Sequence, residues 1–83
     1  MRKKNIVIIG SEGSLGKDLK KILLSNHNTI VCADKSFSKK NNFVKKSKYL
    51  YEHYLDVKNK NSIKNFHKTL RKKIKKINGI IYS

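Results

Sequence analysis

Three glycines stand one every third residue in "IVIIGSEGSLGKDL": Gly10, Gly13 and Gly16, directly after four branched apolar residues. Glycines between a buried strand and a helix suit one chemistry. The first permits a tight turn, the second lets backbone approach a phosphate closely, and the third lets the helix pack on the strand. The helix N-terminus then offers free N–H groups and a partial positive charge to an anion. A carboxylate, Asp34, follows 18 positions after Gly16 at the end of a second apolar run, where it could accept hydroxyl hydrogen bonds. The order is G-x-x-G-x-x-G. It is not a nucleoside-triphosphate loop, because Gly16-Lys17 is followed by Asp18 instead of Ser or Thr.

Other residues with reactive side chains are less well placed. Tyr54 and Lys58 form one Tyr-x-x-x-Lys match, "YLDVK", but it overlaps a strand end, whereas only a helix brings i and i+4 to one site. No catalytic residue is therefore assigned. His27, His53 and His67 fall in three separate segments without Cys, Asp or Glu at ligand spacing, so no metal site is expected. Cys32 is the single cysteine and reads as a small apolar strand residue.

These residues need elements to hold them. Ile6–Ile9 reads as a strand buried on both faces. Leu15, Leu19, Ile22 and Leu23 follow helical spacing up to the break at residues 25–28, and Thr29–Ala33 reads as a second strand. Together they form a β-α-β unit. Lys35–Lys48 reads as a polar loop with room for a short helix, and "KYLYEHYLDV" as a third strand ending near Asp56. Asn59 or Asn61 can cap a helix carrying the stripe Ile63, Phe66, Leu70, Ile74 and Ile77, which Asn78-Gly79 would end before a fourth strand at Ile80–Tyr82.

The 83 residues allow one small domain with a thin core. The net charge of +16 would suit a polyanion, but 19 of the 21 cations are lysine and they are scattered through every segment. A surface that reads phosphates or bases leans on the arginine fork, so the charge is taken as compositional and nucleic acid is not expected as a partner. A small basic nucleic-acid- or anion-binding module on a β-α-β scaffold stays open as the alternative. The four-residue apolar run after "MRKKN" is too short for a signal peptide and no stretch suits a membrane span, so no membrane association and a cytoplasmic location are expected.

"NIVIIGSEGSLGKDLKKILL" followed by "TIVCADK" resembles the cofactor-binding start of the short-chain dehydrogenase/reductase family. "YLDVKNKNSIKNF" is similar to that family's third strand, with its Asp-Val pair, and the helix after it; "KKINGIIYS" is similar to the approach to its fourth strand. The resemblance spans the chain and matches about the first third of a full member. It implies an α/β fold with a partial Rossmann-type parallel sheet ordered β-α-β, loop, β-α-β, stopping after the fourth strand, with the catalytic and substrate part absent. It implies an NAD(P)-binding piece of an oxidoreductase that transfers hydride between cofactor and a carbonyl or hydroxyl substrate of unknown identity.

By that resemblance Gly10, Ser11, Gly13, Leu15 and Gly16 would lie along the pyrophosphate. Asp34 would accept the adenosine ribose hydroxyls, and Asp56 and Val57 would meet the adenine edge. Asp34 beside the ribose 2′ position favours NAD over NADP. The family's usual opening threonine is Ile9 here and its fourth loop position is Ser14, a pattern closer to the extended or atypical branches. A half sheet also leaves an edge open to self-association.

Overall fold

The computed structural model describes residues 4–40 and 42–83. Its elements are β1 (Asn5–Ile9), α1 (Ser14–Ser25), β2 (Thr29–Asp34), β3 (Val44–Ser47), β4 (Leu50–Tyr54), α2 (Lys60–Lys73) and β5 (Gly79–Tyr82). The protein is an α/β domain with one mixed sheet, ordered β3-β4-β2-β1-β5. The strands β4, β2, β1 and β5 are mutually parallel, and β3 runs antiparallel to β4.

The middles of the central strands, Ile6–Ile9 and Ile30–Ala33, are apolar because both faces are covered. Val7, Val31 and Ala33 pack with Phe66 and Leu70 of α2, while Ile8, Ile30 and Cys32 pack with Leu19, Leu23 and Leu24 of α1. Neighbouring residues on one strand thus feed opposite cores, which removes the apolar/polar alternation of a half-exposed strand.

Three expectations are corrected. The sheet is not purely parallel with four strands, because Val44–Ser47, inside the segment read as a loop, forms an antiparallel edge strand. All four of its side chains are exposed, so it carries no burial pattern. It is held by pairing with β4, Val44 opposite Glu52 and Lys45 opposite Tyr51, and among the described residues no helix forms between β2 and β3. The third parallel strand ends at Tyr54, two residues before Asp56.

The third correction concerns α2. Asn59 does cap it, its Oδ1 accepting from the Asn61 and Ser62 N–H groups at 2.9 and 3.1 Å. The helix nevertheless stops at Lys73, and Ile74 is extended at φ −123°. Ile74 and Ile77 reach the same core as Phe66 and Leu70 from the irregular segment after the helix, so the apolar stripe outlasts the helix. Asn78 does not close the helix; it clasps β1. The Asn5 N–H donates to its Oδ1 and its own N–H donates to the Asn5 carbonyl, both at 2.8 Å.

Candidate functional site at the carboxyl ends of the parallel strands

The turn after β1 is built around two glycines that nothing else could replace. Gly10 has φ +83°, a left-handed conformation that side chains disfavour, and a Cβ there would lie 2.8 Å from the Ser83 carbonyl oxygen. A Cβ on Gly16 would lie 2.5 Å from the Gly10 oxygen and 2.8 Å from Ser11 backbone, so α1 sits directly on the turn. Gly13 differs. It has φ −73° and ψ 167°, open to any residue, and a Cβ there would make one ordinary contact at 3.7 Å with the Gly10 oxygen.

Gly13 is also the N-cap of α1, and it supplies no side-chain oxygen to the first-turn N–H groups. The first turn contains no acidic side chain either. The positive end of the α1 dipole is therefore left without a carboxylate of its own. The first glycine's carbonyl holds the turn, accepting from the Gly13 N–H at 3.3 Å.

Asp34, the last residue of β2, ties this turn to the sheet. Its Oδ2 accepts from the Glu12 N–H and its Oδ1 from the Ser36 N–H, each at 2.9 Å. Burial pushes its carboxyl up, but those N–H groups together with the Lys35 charge outweigh burial and hold it below its ordinary value. Glu12 in turn meets Lys20 at 3.4 Å and accepts from the Ser11 hydroxyl at 3.3 Å. Ser11 is fully buried beneath the turn. Below it, burial pushes the Cys32 thiol up to about 11, so it stays protonated and unreactive near neutrality.

A crevice of about 260 Å³ opens beside the turn, across the carboxyl ends of β1, β2, β4 and β5. It brings together Gly10, Asp34, Asp56 and Val57 of the residues singled out in the sequence. Ser11, Gly13, Leu15 and Gly16 do not line it; they form the turn and the start of α1, with Leu15 largely exposed. Lys35, next to Asp34, also lines the crevice, as do Leu55, Lys58 and Tyr82, which were not foreseen there. Leu55 carried a signal, an apolar residue just past a strand, and it is buried with its N–H bonded to the Asp34 carbonyl.

Asp56 and Val57 sit in the β4–α2 turn, Asp56 accepting from the Lys58 N–H at 3.0 Å. Tyr54 closes β4 and Lys58 lies in that turn, so the Tyr-x-x-x-Lys match is not on a helix. The three histidines are dispersed, and among the described residues no group of His, Cys, Asp and Glu could hold a metal ion. Among the same residues no helix is long and apolar enough to cross a membrane.

No protein-family model matches the chain, and neither curated proteins nor solved structures provide a match.

Proposed function

We propose that the chain binds a nicotinamide dinucleotide, NAD in preference to NADP, as the cofactor-recognising portion of an oxidoreductase similar to the short-chain dehydrogenases/reductases. The observation that carries this reading is Gly13. Neither its backbone angles nor its neighbours require glycine, yet its lack of a side chain keeps the N-terminus of α1 bare. A pyrophosphate lying against Gly13 and Leu15, over the buried Ser11 and Gly16, would use the N–H groups of the first turn of α1.

The strand order supports the same reading. Among the parallel strands, β2 and β4 lie on one side of β1 and β5 on the other, so the order reverses at β1. In open α/β sheets the crevice at the carboxyl ends beside such a reversal is where ligands bind. We infer from this order half of a Rossmann-type sheet, extended by the antiparallel β3. At about 260 Å³ the crevice is just below the ~300–1,000 Å³ of ordinary ligand sites, room for the adenosine half of a dinucleotide. There Asp34 would take the ribose hydroxyls with the oxygen lone pairs that Glu12 and Ser36 leave free, and Asp56 and Val57 would flank the adenine.

Hydride transfer by such an enzyme needs groups beyond these. The resemblance implies a serine and a helical Tyr-x-x-x-Lys, and Tyr54 and Lys58 do not meet that requirement. This chain's share is binding: it orients the cofactor and selects between its two forms. The test is calorimetric titration with NADH and NADPH. NADH should bind the natural chain, Gly13→Val should lose that binding while keeping its fold, and Asp34→Ala should move the NADH/NADPH affinity ratio toward NADPH. Two like charges ~4 Å apart at an effective dielectric of ~20 repel by about 4 kcal/mol, less where exposed, and Asp34 would set that repulsion against a 2′-phosphate. Equal NADH affinity in the natural chain and Gly13→Val would sink the assignment.

A further inference from the structure

Of the nine asparagines in the chain, Asn78 alone precedes a glycine. Nothing in the fold asks for glycine at position 79. Gly10 has a left-handed backbone and Gly16 meets backbone atoms, but Gly79 has no positive φ, and a Cβ added there would touch nothing within 4 Å. What glycine does at this position is chemical. With no side chain beside it, the Gly79 nitrogen is free to fold back on the Asn78 side chain once the strand opens.

The reaction open to this pair needs no partner but water. The Gly79 nitrogen attacks Asn78 Cγ and gives up its proton, and ammonia leaves as a cyclic imide closes. Water then opens the ring at either carbonyl. Attack on Cγ restores the backbone and leaves aspartate. Attack on the Asn78 backbone carbonyl leaves isoaspartate, with the chain running through the side chain and one carbon longer. Nothing is oxidised or reduced.

The fold holds the pair in an unreactive geometry. Asn78 Oδ1 accepts from the Asn5 N–H and the Asn78 N–H donates to the Asn5 carbonyl, both at 2.8 Å. The Asn5 side-chain amide braces the approach by donating to the Lys76 carbonyl, also at 2.8 Å. Gly79 is set opposite Ile6 in the β1–β5 ladder. The Asn78 side chain is thus committed to β1, and cyclisation, which turns it back over its own backbone, waits for this clasp to open. Asn78 is exposed, so water reaches it.

We infer that Asn78-Gly79 is a spontaneous modification site gated by the Asn5 clasp, and that its two products act oppositely on the fold. Aspartate keeps an oxygen where the Asn5 N–H needs an acceptor, so the clasp re-forms. Isoaspartate puts the chain beyond it out of step with the β1 ladder, so β5 does not return. Local opening costs less than global unfolding, and a chemical step taken from the open state makes it irreversible. The site needs no ligand and stands whether or not the cofactor reading does.

Peptide mapping of the aged natural chain, with aspartate and isoaspartate forms resolved, reads the reaction. Conversion at Asn78 should be at least about tenfold slower in the folded chain than in urea, because the reaction draws on the open population. Asn5→Ala removes the brace on the Lys76 carbonyl and should speed conversion in the folded chain with no change in urea. Asn61-Ser62 is the internal monitor, its Ser62 N–H held by Asn59 Oδ1 at 3.1 Å: misfolding would speed both pairs, an opened clasp only Asn78. Where both speed up, the comparison of products decides. Gly79→Ala should slow conversion in both conditions. Hydrogen exchange should find β1–β5 protection kept in Asn78→Asp and lost in the isoaspartate fraction. Equal rates in folded and unfolded chain, an Asn5→Ala rate unchanged at Asn78, or an isoaspartate form that keeps its β5 protection would each overturn the inference.

Discussion

The two helices lie on opposite faces of the sheet but both begin at the carboxyl end of its parallel strands, α1 after β1 and α2 after β4, and their first turns are built on opposite plans. At α2 the chain satisfies its own donors: Asn59 takes the N–H groups of Asn61 and Ser62, and the Ser62 hydroxyl accepts from the Asp56 N–H at 2.9 Å. At α1 the cap is Gly13, with no side-chain bond, and Gly16 lets the helix come down onto the turn. Both starts face the same accounting of free helix donors. One is closed internally; the other has no side-chain cap, and in the proposed reading it is where the pyrophosphate would lie.

The sharpest way to break the contrast is at Gly16. Gly16→Val sets a side chain against the backbone of Gly10 and Ser11, atoms that cannot swing aside. The cost should reach or exceed the upper end of the ~1–3 kcal/mol typical of overpacking. Circular dichroism melts should show the cooperative transition weakened or lost, while Gly13→Val, three residues away, melts close to the natural chain.

Asn59→Ala removes the internal cap and should cost about 1 kcal/mol of stability, read as a lower urea midpoint, with NADH affinity unchanged. A binding loss as large as that of Gly13→Val would mean the two helix starts are not functionally distinct.

The same accounting of polar groups extends to the core. His53 is buried against Phe66, and its Nδ1 donates to the Tyr54 carbonyl at 2.6 Å, which leaves Nε2 as an acceptor without a partner among the described residues. Burial holds its pKa below the ordinary value of 6.5, despite the opposing bond to Tyr54. The unfolded chain therefore binds a proton that the folded one resists, and stability rises with pH through this window. His53 should cost no stability above pH ~6.5, with an increasing penalty as the pH falls below it. His53→Phe should flatten that part of the pH–stability curve, measured by urea unfolding; an unchanged slope would remove His53 as its cause.

The smallest expected effect is also the most pointed. Gly13→Ser gives α1 the oxygen cap that α2 already has and should stabilise the fold by a few tenths of a kcal/mol. It should weaken NADH at the same time, because the new hydroxyl competes for the N–H groups. Stabilisation without loss of NADH affinity would separate the bare helix start from cofactor binding.

The legible parts of the fold were those whose pattern and packing agree. β1, α1 and β2 followed from their apolar runs because Val7, Ile8, Val31 and Cys32 are all buried. β3 was illegible because its existence rests on backbone pairing with β4, which leaves no mark on four exposed side chains. The end of α2 was misplaced for the opposite reason: Ile74 and Ile77 keep helical spacing while lying beyond the helix, since both routes reach one core. At the site, Gly10 and Gly16 were readable because a turn and a close approach admit little else. The bond from Glu12 to Asp34 and the presence of Lys58 and Tyr82 at the crevice were not, being products of which strands the sheet sets side by side.

The clasp between Asn5 and Asn78 ties residues 73 positions apart, and the Asn5 side-chain amide adds a bond to the Lys76 carbonyl at 2.8 Å. Its closure entropy is the cost of ordering nearly the whole chain, whereas β1 and β2 meet across a single helix. Contacts of long sequence separation form late. The centre of the sheet is thus itself an edge during folding: until β5 arrives, β1 has one hydrogen-bonded neighbour and its Ile6–Ile9 ladder stands open. Pulse-labelled hydrogen exchange should find β5 the last strand protected, and the time before that is when the nascent protein is most exposed to aggregation.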